Sequence, residues 1–323
     1  MTFCLPHIQP DLCNFISNPL SMDHLSSAFQ NRIVQVYGQA GSAWLEDLPR
    51  LRLELLERWS LWDSHPVSEF SYNYLEYART TDGTPVVLKM APPNPELDTE
   101  IKALRLFDGR HAVRLLEADS LAGAMLLERI LPGDTLLIVK DDEDATRTAA
   151  RLMKNLWRTA PPGSKFPSMA DWCRGFQRYQ RVYQEIQGPL PPGLVDHASA
   201  LAAELLQNRE IQILLHGDLH HKNILKGEED NWITIDPKGV IGEPAFEVGP
   251  LVFNPIPDLI HWPELKKVLS RRLAILGEIL ELERKHLAAW SYVRMVLSAI
   301  WDVEEGCDPN YGVNIAQYLE KLL

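Results

Sequence analysis

The chain changes its apolar period near residue 131, and this change constrains the possible folds more than any other feature. Between residues 69 and 130, apolar and polar side chains alternate in short runs, which predicts strands. Beyond residue 131, apolar side chains recur at three-and-four spacing over long stretches, which predicts helices. A chain of 323 residues also exceeds the usual size of a single core. The sequence therefore predicts an α+β fold with two lobes.

The strands are predicted to form pairs around tight turns. The segment TDGT contains Asp-Gly, a dipeptide typical of hairpins. A second pair surrounds a short turn after residue 119. The predicted strands are 69–80 and 85–90 in the first pair and 112–119 and 123–130 in the second, with a helix at 94–109 that stops at Gly109.

Helices are predicted both before and after this small antiparallel sheet in the sequence. A helical segment precedes it at 23–61, and the Pro- and Gly-rich pieces PPGSKFP and GPLPPG separate helices that follow it. The later helices are predicted near 141–159, 169–187, 195–208, 263–281, 283–302 and 310–322. We expect a helical extension at residues 1–61, an N-lobe at 62–130 and a C-lobe at 131–323.

The composition restricts the partners and the compartment. A net charge of −12 argues against a nucleic-acid partner and suits a cationic ligand, although acidic surfaces usually serve solubility. The cysteines form no CxxC pair, which is typical of reduced thiols in a cytoplasmic protein. The N-terminus lacks a secretory pattern, and no segment approaches ~18 uninterrupted apolar residues. We expect a cytoplasmic protein without a membrane partner, in which Met22 could be the true start and residues 1–21 loosely ordered.

Histidines, lysines and aspartates that could carry chemistry are concentrated in residues 214–239, LLHGDLHHKNILKGEEDNWITIDPKG. A metal site is one interpretation of this segment. His216, His220, His221 and Asp218 are possible ligands by type. However, no H-x-x-x-H pair on a helix and no cysteine pair accompanies them. The sequence therefore favours another chemistry, with zinc or iron kept as the minor alternative.

Phosphoryl transfer accounts for the spacing of the polar residues in this segment. The chemistry needs a carboxylate that orients the attacking hydroxyl, oxygen ligands for magnesium and a lysine for the nucleotide phosphates. The pattern H-x-D-x-x-x-x-N places Asp218 and Asn223 in one loop, and Asp236 follows at the end of the strand WITID. Upstream, Lys89 ends the strand PVVLK, and Glu100 lies in the next helix, where it could pair with that lysine.

The segment and its surroundings resemble the aminoglycoside phosphotransferase superfamily. HGDLHHKNI carries the signal HGDxHxxN, and IDPKGVIGE is similar to the branch of streptomycin 6-phosphotransferases and hydroxyurea phosphotransferases. The segments DGTPVVLKM, AVRLLEAD, AMLLERI and YGQAGSAWLEDLP also fit this branch, so that the resemblance covers roughly residues 30–310. It implies a bilobal protein-kinase-like fold with a small antiparallel-sheet N-lobe and a mostly helical C-lobe.

The resemblance implies a role for each residue of the pattern. Asp218 would be the catalytic base, with Mg²⁺ as cofactor and ATP, or GTP, as co-substrate. The remaining roles are magnesium ligation by Asn223 and Asp236, phosphate binding by Lys89 with Glu100 orienting it, and adenine binding by backbone groups of Glu128, Arg129 and Ile130. The sequence departs from the family where a glycine-rich phosphate loop is expected, because SEFSYNYLEYA has no glycine. Ser71 and Asn73 could contact phosphate there instead.

Other residues of the loop have structural alternatives. His216 is interpreted as scaffold that packs beneath the site, and Glu247 as an acid that accepts hydrogen bonds from N–H groups of the catalytic loop. His220 could touch the γ-phosphate or fill space. We expect His221 and Lys222 at the surface.

The acceptor is expected near the end of a late helix. The segment SAIWDVEEGCD carries Trp301, Asp302, Glu304 and Glu305, although acids are also common at solvated helix ends. Carboxylates at a helix C-terminus oppose the helix dipole at a cost of about 0.3–1 kcal/mol each, which invites another reason for them. A carboxylate cluster would attract a cationic acceptor, and an indole could stack on it.

The sequence therefore predicts a small-molecule kinase that transfers the γ-phosphate of ATP to a hydroxyl of a streptomycin-type aminoglycoside or aminocyclitol. A kinase of another small metabolite or sugar and a nucleotide-binding module without turnover are the alternatives. A protein kinase is disfavoured, because Gly217 replaces the arginine of HRD and no A-P-E segment follows.

Overall fold

The structure, a computed structural model, describes residues 25–67, 72–207 and 212–323. The predictions for residues 1–21, for Ser71 and for the ends of the segments 69–80 and 195–208 lie partly or wholly outside these ranges. The chain divides into two compact units. Unit 1 contains the described residues up to Asn94 together with Leu116–Arg129, and unit 2 contains Pro95–Leu115 and Ile130–Leu323. The finer division into an extension, an N-lobe and a C-lobe stays a prediction.

Unit 1 begins with the long helix α1, Ser27–Arg58. The side chain of Ser26 accepts a hydrogen bond from the amide of Phe29 at 3.2 Å and caps the helix start. Gly38, with φ +58°, breaks the helical geometry inside α1. The buried face of α1 shares one apolar core with strand residues such as Tyr74 and Leu88, so the helix is stabilised by burial against the sheet.

The sheet of unit 1 has strand order β1-β2-β3-β5-β4. Its strands are β1 (Trp62–Pro66), β2 (Tyr74–Arg79), β3 (Pro85–Met90), β4 (Leu115–Asp119) and β5 (Ala124–Glu128). The predicted hairpin is present, since β2 pairs antiparallel with β3 around the turn that contains Gly83. The edge strand β1 was not predicted, because WDSHP has no alternating apolar pattern and lies mostly exposed. The α+β fold class is confirmed.

The strand predicted at 112–119 starts later, at Leu115. The preceding residues are engaged elsewhere: the amide of Val113 donates to the carbonyl of Thr234 at 2.8 Å, and the amide of Thr234 donates to the carbonyl of His111 at 2.9 Å. Because these residues pair with the backbone of Thr234, they do not belong to β4.

Unit 2 is mostly helical. Its helices are α2 (Pro95–Phe107), α3 (Asp142–Leu156), α4 (Met169–Val182), α5 (Leu194–Leu205), α6 (Gly249–Val252), α7 (Leu265–Leu280), α8 (Arg284–Glu304) and α9 (Asn310–Glu320). Ser168 and Asp171 form a capping box that starts α4. Every residue of α8 from 287 to 297 is buried, so this helix runs through the core of unit 2 rather than along its surface.

Short strand pairs surround the polar segment 214–239. β6 (Ile213–Leu215) pairs antiparallel with β9 (Val240–Gly242), and β7 (Ile224–Lys226) pairs antiparallel with β8 (Trp232–Thr234). The sequence predicted two strands around one loop, and the additional pairing arises because the chain returns to β6 after β8. The loop between β6 and β7 and the turn between β8 and β9 are thus anchored at both ends.

Candidate functional site

His216 supports the loop from beneath. Its amide donates to Glu247 Oε2 at 2.7 Å, and its Nε2 lies 2.8 Å from the carbonyl oxygen of Ile235. The amide of Asp218 donates to His216 Nδ1 at 3.3 Å. These partners assign the hydrogen to Nε2 and the lone pair to Nδ1. Burial lowers the pKa of His216 to about 4, so the ring is neutral at physiological pH.

Gly217 gives the loop its sharp bend. It has φ +86°, and a Cβ at this position would lie 3.1 Å from the ring of Trp172. A side chain would therefore meet both backbone strain and a crowded ring. The next residue, Asp218, is only partly buried, so its carboxylate emerges from a backbone that packing holds tightly.

Glu247 holds the backbone before Asp218. It is fully buried, and besides the His216 amide it accepts a hydrogen bond from the amide of Gly217 at 2.9 Å. Burial raises the pKa of Glu247 to about 7, although the two amide donors and the Arg294 charge act in the opposite direction. These are the hydrogen bonds expected for this residue from the resemblance.

Asn223 and Asp236 lie on neighbouring strand ends. Asn223 directly precedes β7, and its carbonyl accepts a hydrogen bond from the amide of Ile235 at 3.0 Å, one residue before Asp236. The amide nitrogen of Asn223 donates to the carbonyl of Asp218 at 2.9 Å. Asp236 has φ +58°, an uncommon value for a residue other than glycine and one that is found at functional sites. The structure thus brings both predicted metal ligands to one edge of the loop.

The other histidines of the loop differ in their environment. His220 Nδ1 accepts a hydrogen bond from the amide of Lys222 at 3.2 Å, and its Nε2 lies 3.8 Å from Asp218 Oδ2. Burial lowers the pKa of His220. Lys222 is exposed as predicted, but the surface position predicted for His221 is wrong, because the short 3₁₀ turn at His221–Asn223 directs this ring inward. Burial lowers the pKa of His221 to about 3, and the charge of Arg272 adds to this.

Lys238 is a charged residue of the site that the sequence did not single out. It forms an ion pair with Glu96 in the first turn of α2. Burial opposes its charge, but the carboxylates of Glu96, Asp218 and Glu100 outweigh burial and raise the pKa of Lys238. Its position directly after Asp236-Pro was the available signal. Lys238 therefore connects α2 electrostatically with the loop.

The predicted nucleotide residues are spread over both units. Lys89 is buried in β3 between the partner residues Leu75 and Met125, whereas Glu100 is buried in α2 of unit 2. Their ion pair stays a prediction. Asn73 precedes β2 and is partly buried, and Ser71 lies outside the described residues.

The segment predicted to bind adenine follows β5. Glu128 ends that strand, and Ile130 is partly buried. The amide of Arg129 donates to the carbonyl of Pro85 at 3.2 Å, and its guanidinium lies 3.6 Å from the ring centre of Tyr77. This amide is therefore already used within the sheet, so the remaining backbone groups are the candidates for adenine.

The predicted acceptor residues lie at the end of α8 and differ in how they are held. Trp301 packs edge-to-face on Trp172, with ring centres 5.5 Å apart. Asp302 is half-buried, and burial together with the charges of Glu305 and Asp308 raises the pKa of Asp302 to about 6. Glu304 and Glu305 are exposed, and Glu304 is paired with Arg178 of α4, whose Nε and Nη2 donate to it at 3.0 and 3.1 Å.

Arg294 is the second residue that the sequence did not single out. Its Nη2 donates to the carbonyl of Gly217 at 2.7 Å. Its guanidinium carbon lies 4.7 Å from the ring centre of Trp172, 4.8 Å from Phe246 and 5.6 Å from Trp301. The available signal was a single charge in the otherwise apolar run AAWSYVRMVLSAIW. Arg294 therefore links the predicted acceptor segment of α8 with the loop that carries Asp218.

Within residues 25–67, 72–207 and 212–323, no group of three or more His, Cys, Asp and Glu side chains has the arrangement of a metal site. In the same ranges, no helix combines the length and the apolar character needed to cross a membrane.

The fold is that of protein-kinase-like phosphotransferases. It matches the choline kinase LicA from Streptococcus pneumoniae with a TM-score of 0.58, over 84% of this chain and 98% of that structure, at 15% sequence identity. The protein-kinase-like fold predicted from the sequence is therefore confirmed.

Comparison of the sequences gives the family. A family model described as aminoglycoside/hydroxyurea antibiotic resistance kinase matches residues 58–306, and the chain belongs to this family. It is 33% identical to the streptomycin 6-kinase of Streptomyces glaucescens over 290 residues, which cover 88% of this chain and 93% of that protein. It is 34% identical to the hydroxyurea phosphotransferase of Kitasatospora aureofaciens over 83% of this chain and 77% of that protein. The protein is accordingly an ATP-dependent small-molecule phosphotransferase with an alcohol group as acceptor.

Proposed function

We propose that the protein transfers the γ-phosphate of ATP to a hydroxyl of a streptomycin-type aminoglycoside or aminocyclitol, with Asp218 as catalytic base and Mg²⁺ as cofactor. The observation that carries the proposal is the support of Asp218: Glu247 and Arg294 hold the peptide groups on either side of the preceding Gly217. A fixed carboxylate beside an asparagine and a second aspartate meets the needs of phosphoryl transfer. The similarity to the streptomycin 6-kinase supports the choice of acceptor.

Asp218 would act on the acceptor hydroxyl. Its carboxylate would orient the hydroxyl and accept its proton while the oxygen forms a bond to the γ-phosphorus and the bond from that phosphorus to ADP breaks. His220 is close enough to Asp218 to take part, because its Nε2 lies 3.8 Å from the carboxylate. Since Nδ1 already accepts a backbone hydrogen bond, the neutral ring carries its hydrogen on Nε2 and could donate it to the γ-phosphate or to Asp218.

The donor set at the loop edge fits magnesium. The amide nitrogen of Asn223 is engaged with the carbonyl of Asp218, which leaves the amide oxygen as the group for a cation. Asp236 adds a carboxylate, and Mg²⁺ prefers oxygen ligands of this kind together with phosphates and water. When bound, the ion would neutralise charge on the phosphates. We assign Asn223 and Asp236 as its protein ligands.

Lys89 is the residue proposed to hold the nucleotide phosphates. Lys89 would bind the α- and β-phosphates and Glu100 would orient it, as the resemblance implies. Both side chains are buried, where an ion pair would offset the cost of burying each charge. Ser71 and Asn73 are proposed as phosphate contacts, and backbone groups of residues 128–130 as adenine contacts, for ATP or GTP.

The acceptor would lie against the end of α8. Trp301 and Asp302 are proposed as contacts, with Glu304 and Glu305 contributing to the negative field. Trp301 is the better supported of these, because the ring on which it packs, Trp172, lies against the backbone of Gly217. The pairing of Glu304 with Arg178 reduces its contribution to the field. A small cationic acceptor also agrees with the net charge of −12, and we expect the protein to act in the cytoplasm, without nucleic acid or membrane.

Hydroxyurea is the second candidate acceptor, and the 34% identity to a hydroxyurea phosphotransferase is the observation that favours it. Another small metabolite or a sugar remains an alternative of the same reaction type. A nucleotide-binding module without turnover is disfavoured, since Asp218, Asn223 and Asp236 are all present.

The test is release of ADP from Mg-ATP in the presence of streptomycin, other aminoglycosides, hydroxyurea or simple sugars. We expect streptomycin to stimulate ADP release and to gain one phosphoryl group by mass spectrometry. Stimulation by hydroxyurea or a sugar alone would replace the proposed acceptor. ADP release that no acceptor stimulates and that persists in Asp218→Asn would overturn the proposal as a whole.

A further inference from the structure

The peptide bond between Gly217 and Asp218 is held at both of its polar ends. Its carbonyl, on Gly217, accepts the hydrogen bond from Arg294 Nη2 at 2.7 Å. Its N–H, on Asp218, donates to His216 Nδ1 at 3.3 Å. The orientation of this peptide plane sets the direction in which the Asp218 side chain leaves the backbone. Arg294 is therefore the contact from outside the loop that acts most directly on the orientation of Asp218.

Burial of the charged guanidinium of Arg294 costs folding free energy. The side chain is 3% exposed, and within the described part of the chain Nε and Nη1 have no hydrogen-bond partner. Burial lowers the pKa of Arg294 to about 10, so the group still carries its charge at neutral pH. A buried cation with unpaired N–H groups reduces stability. The carboxylates of Asp218 and Glu247 and the ring faces of the neighbouring aromatics offset only part of this cost.

Arg272 provides the contrast within the same unit. It is also fully buried, in α7, but its guanidinium donates to Asp142 and to the carbonyls of Leu251, Val252 and Asn254. These bonds explain Arg272 as a purely structural cation that joins segments of the core. Arg294 has no comparable set among the described residues, and the hydrogen bond that it does form goes to the residue before the proposed base.

We propose that Arg294 is a positioning residue for phosphoryl transfer, which fixes the Gly217–Asp218 peptide so that the carboxylate of Asp218 meets the acceptor hydroxyl. The inference rests on the role proposed for Asp218. Arg294 acts through the loop and not on the substrate, because its unpaired nitrogens are closed to solvent. A misplacement of about 1 Å in such a site lowers the rate about 10²-fold, and it affects the chemical step more than substrate binding.

Substitution of Arg294 tests the inference. Arg294→Gln removes the charge and shortens the donor, and we expect kcat to fall about 10²-fold while the nucleotide Kd and the acceptor KM change by less than about threefold. Arg294→Lys keeps the charge and one donor but loses the planar guanidinium, so its kcat should lie between those of Arg294→Gln and wild type, about three- to tenfold below wild type. Arg272→Gln is the matched control: it should lower the melting temperature but leave kcat unchanged well below that temperature.

The outcomes separate the inference from the proposed function. A kcat of Arg294→Gln within about threefold of wild type, or a loss that follows the melting temperature in both the Arg294 and Arg272 variants, would overturn the inference. If Arg294→Gln fails to fold, Arg294→Lys decides, since a reduced kcat at unchanged KM supports positioning and an unchanged kcat contradicts it. If wild type does not phosphorylate streptomycin, the proposed acceptor is wrong, but the inference can still be tested on the transfer of phosphate from ATP to water. A lower rate of this hydrolysis in Arg294→Gln than in wild type supports the inference, and an unchanged rate overturns it.

Discussion

The loop at 216–223 and the segment 301–308, which begins in the last turn of α8, are both polar, but they hold their acids in different ways. In the loop, Asn223 and His216 bond to the backbone groups of Asp218 itself, and Glu247 holds the amide before it. At the end of α8, Glu304 is exposed and paired with an exposed arginine, and Asp302 is half-buried among other acids. One region fixes geometry, whereas the other mainly supplies charge.

The difference predicts how each region responds to substitution. A buried network of hydrogen bonds sets positions to within fractions of an ångström, so loss of one member affects the chemical step strongly. Exposed charges act through a field that salt screens over about 10 Å at 0.1 M, and each is worth about 0.2–1 kcal/mol. The effects are therefore expected to decrease from the loop to the helix end.

The largest effect is expected for Asp218→Asn. The amide is nearly isosteric with the carboxylate but cannot accept the proton of the acceptor hydroxyl. General-base catalysis alone contributes about 10²–10⁴ in rate, so we expect kcat to fall by at least this factor while the nucleotide Kd stays nearly constant. Steady-state kinetics with nucleotide titration checks both quantities. A variant that keeps a tenth of the wild-type kcat would remove Asp218 from the role of base.

Asp302→Asn is the same chemical change at the end of α8 and serves as the matched control for Asp218→Asn. Its kcat should stay within about threefold of wild type, because Asp302 is proposed to act on binding and not on the chemical step. An equal loss of kcat in both variants would break the distinction between the two regions.

An intermediate effect is expected for Glu247→Gln. The carboxylate accepts from the amides of His216 and Gly217, whereas a carboxamide offers one oxygen and one NH₂ group, so one amide loses its partner. Leaving one buried amide unsatisfied costs about 1–3 kcal/mol of stability. We expect a lower melting temperature and a kcat reduced about tenfold, with the nucleotide Kd unchanged. An unchanged kcat would limit Glu247 to a role in stability.

The effect of Glu247→Gln on the free energy of unfolding should depend on pH, because the pKa of Glu247 is raised in the folded protein. Because burial raises the pKa of Glu247 to about 7 from 4.5, the native state binds more protons than the unfolded state between these values. The stabilisation that Glu247 contributes to the folded state is therefore fully present below the pKa that it has in the unfolded chain, and it decreases as pH rises through about 7. The difference in unfolding free energy between wild type and Glu247→Gln should narrow from about pH 5 to about pH 8 in denaturant titrations.

The local part of this architecture could be predicted from the sequence. Alternation around Asp82-Gly83 predicted the β2–β3 hairpin, and the spacing from His216 to Asn223 predicted a loop that carries these residues together. Both depend on neighbours in the chain, which periodicity and turn residues encode directly.

The remaining features depend on partners that are distant in sequence. Arg294 contacts Gly217 across 77 residues, and no spacing rule connects a charge in an apolar helix with a loop so far away. His221 was predicted at the surface because it lies in a polar run, but the 3₁₀ turn brings it into the core. The strand β1 lacks apolar alternation because it is an edge strand with mostly exposed side chains. Tertiary packing, not local pattern, determines these features.

The smallest effect is expected for binding at the end of α8. Asp302→Asn should raise the KM for a cationic acceptor by about two- to fivefold at low ionic strength, which corresponds to the energy of one partly exposed charge, and leave the ATP KM unchanged. High salt should reduce the difference. Glu304→Gln removes an equal charge from the same surface, but its pairing with Arg178 predicts a smaller change in acceptor KM.

The acceptor KM is also expected to depend on pH through Asp302. Burial, with the charges of Glu305 and Asp308, raises the pKa of Asp302 to about 6, so the carboxylate is neutral well below that pH and charged above it. The acceptor KM of wild type should therefore rise toward that of Asp302→Asn as pH falls from about 8 to about 5, while the variant itself changes little. Kinetics at fixed ionic strength measures both curves. If wild type and Asp302→Asn have the same acceptor KM at about pH 8 and low salt, Asp302 does not contact the acceptor, which then binds elsewhere.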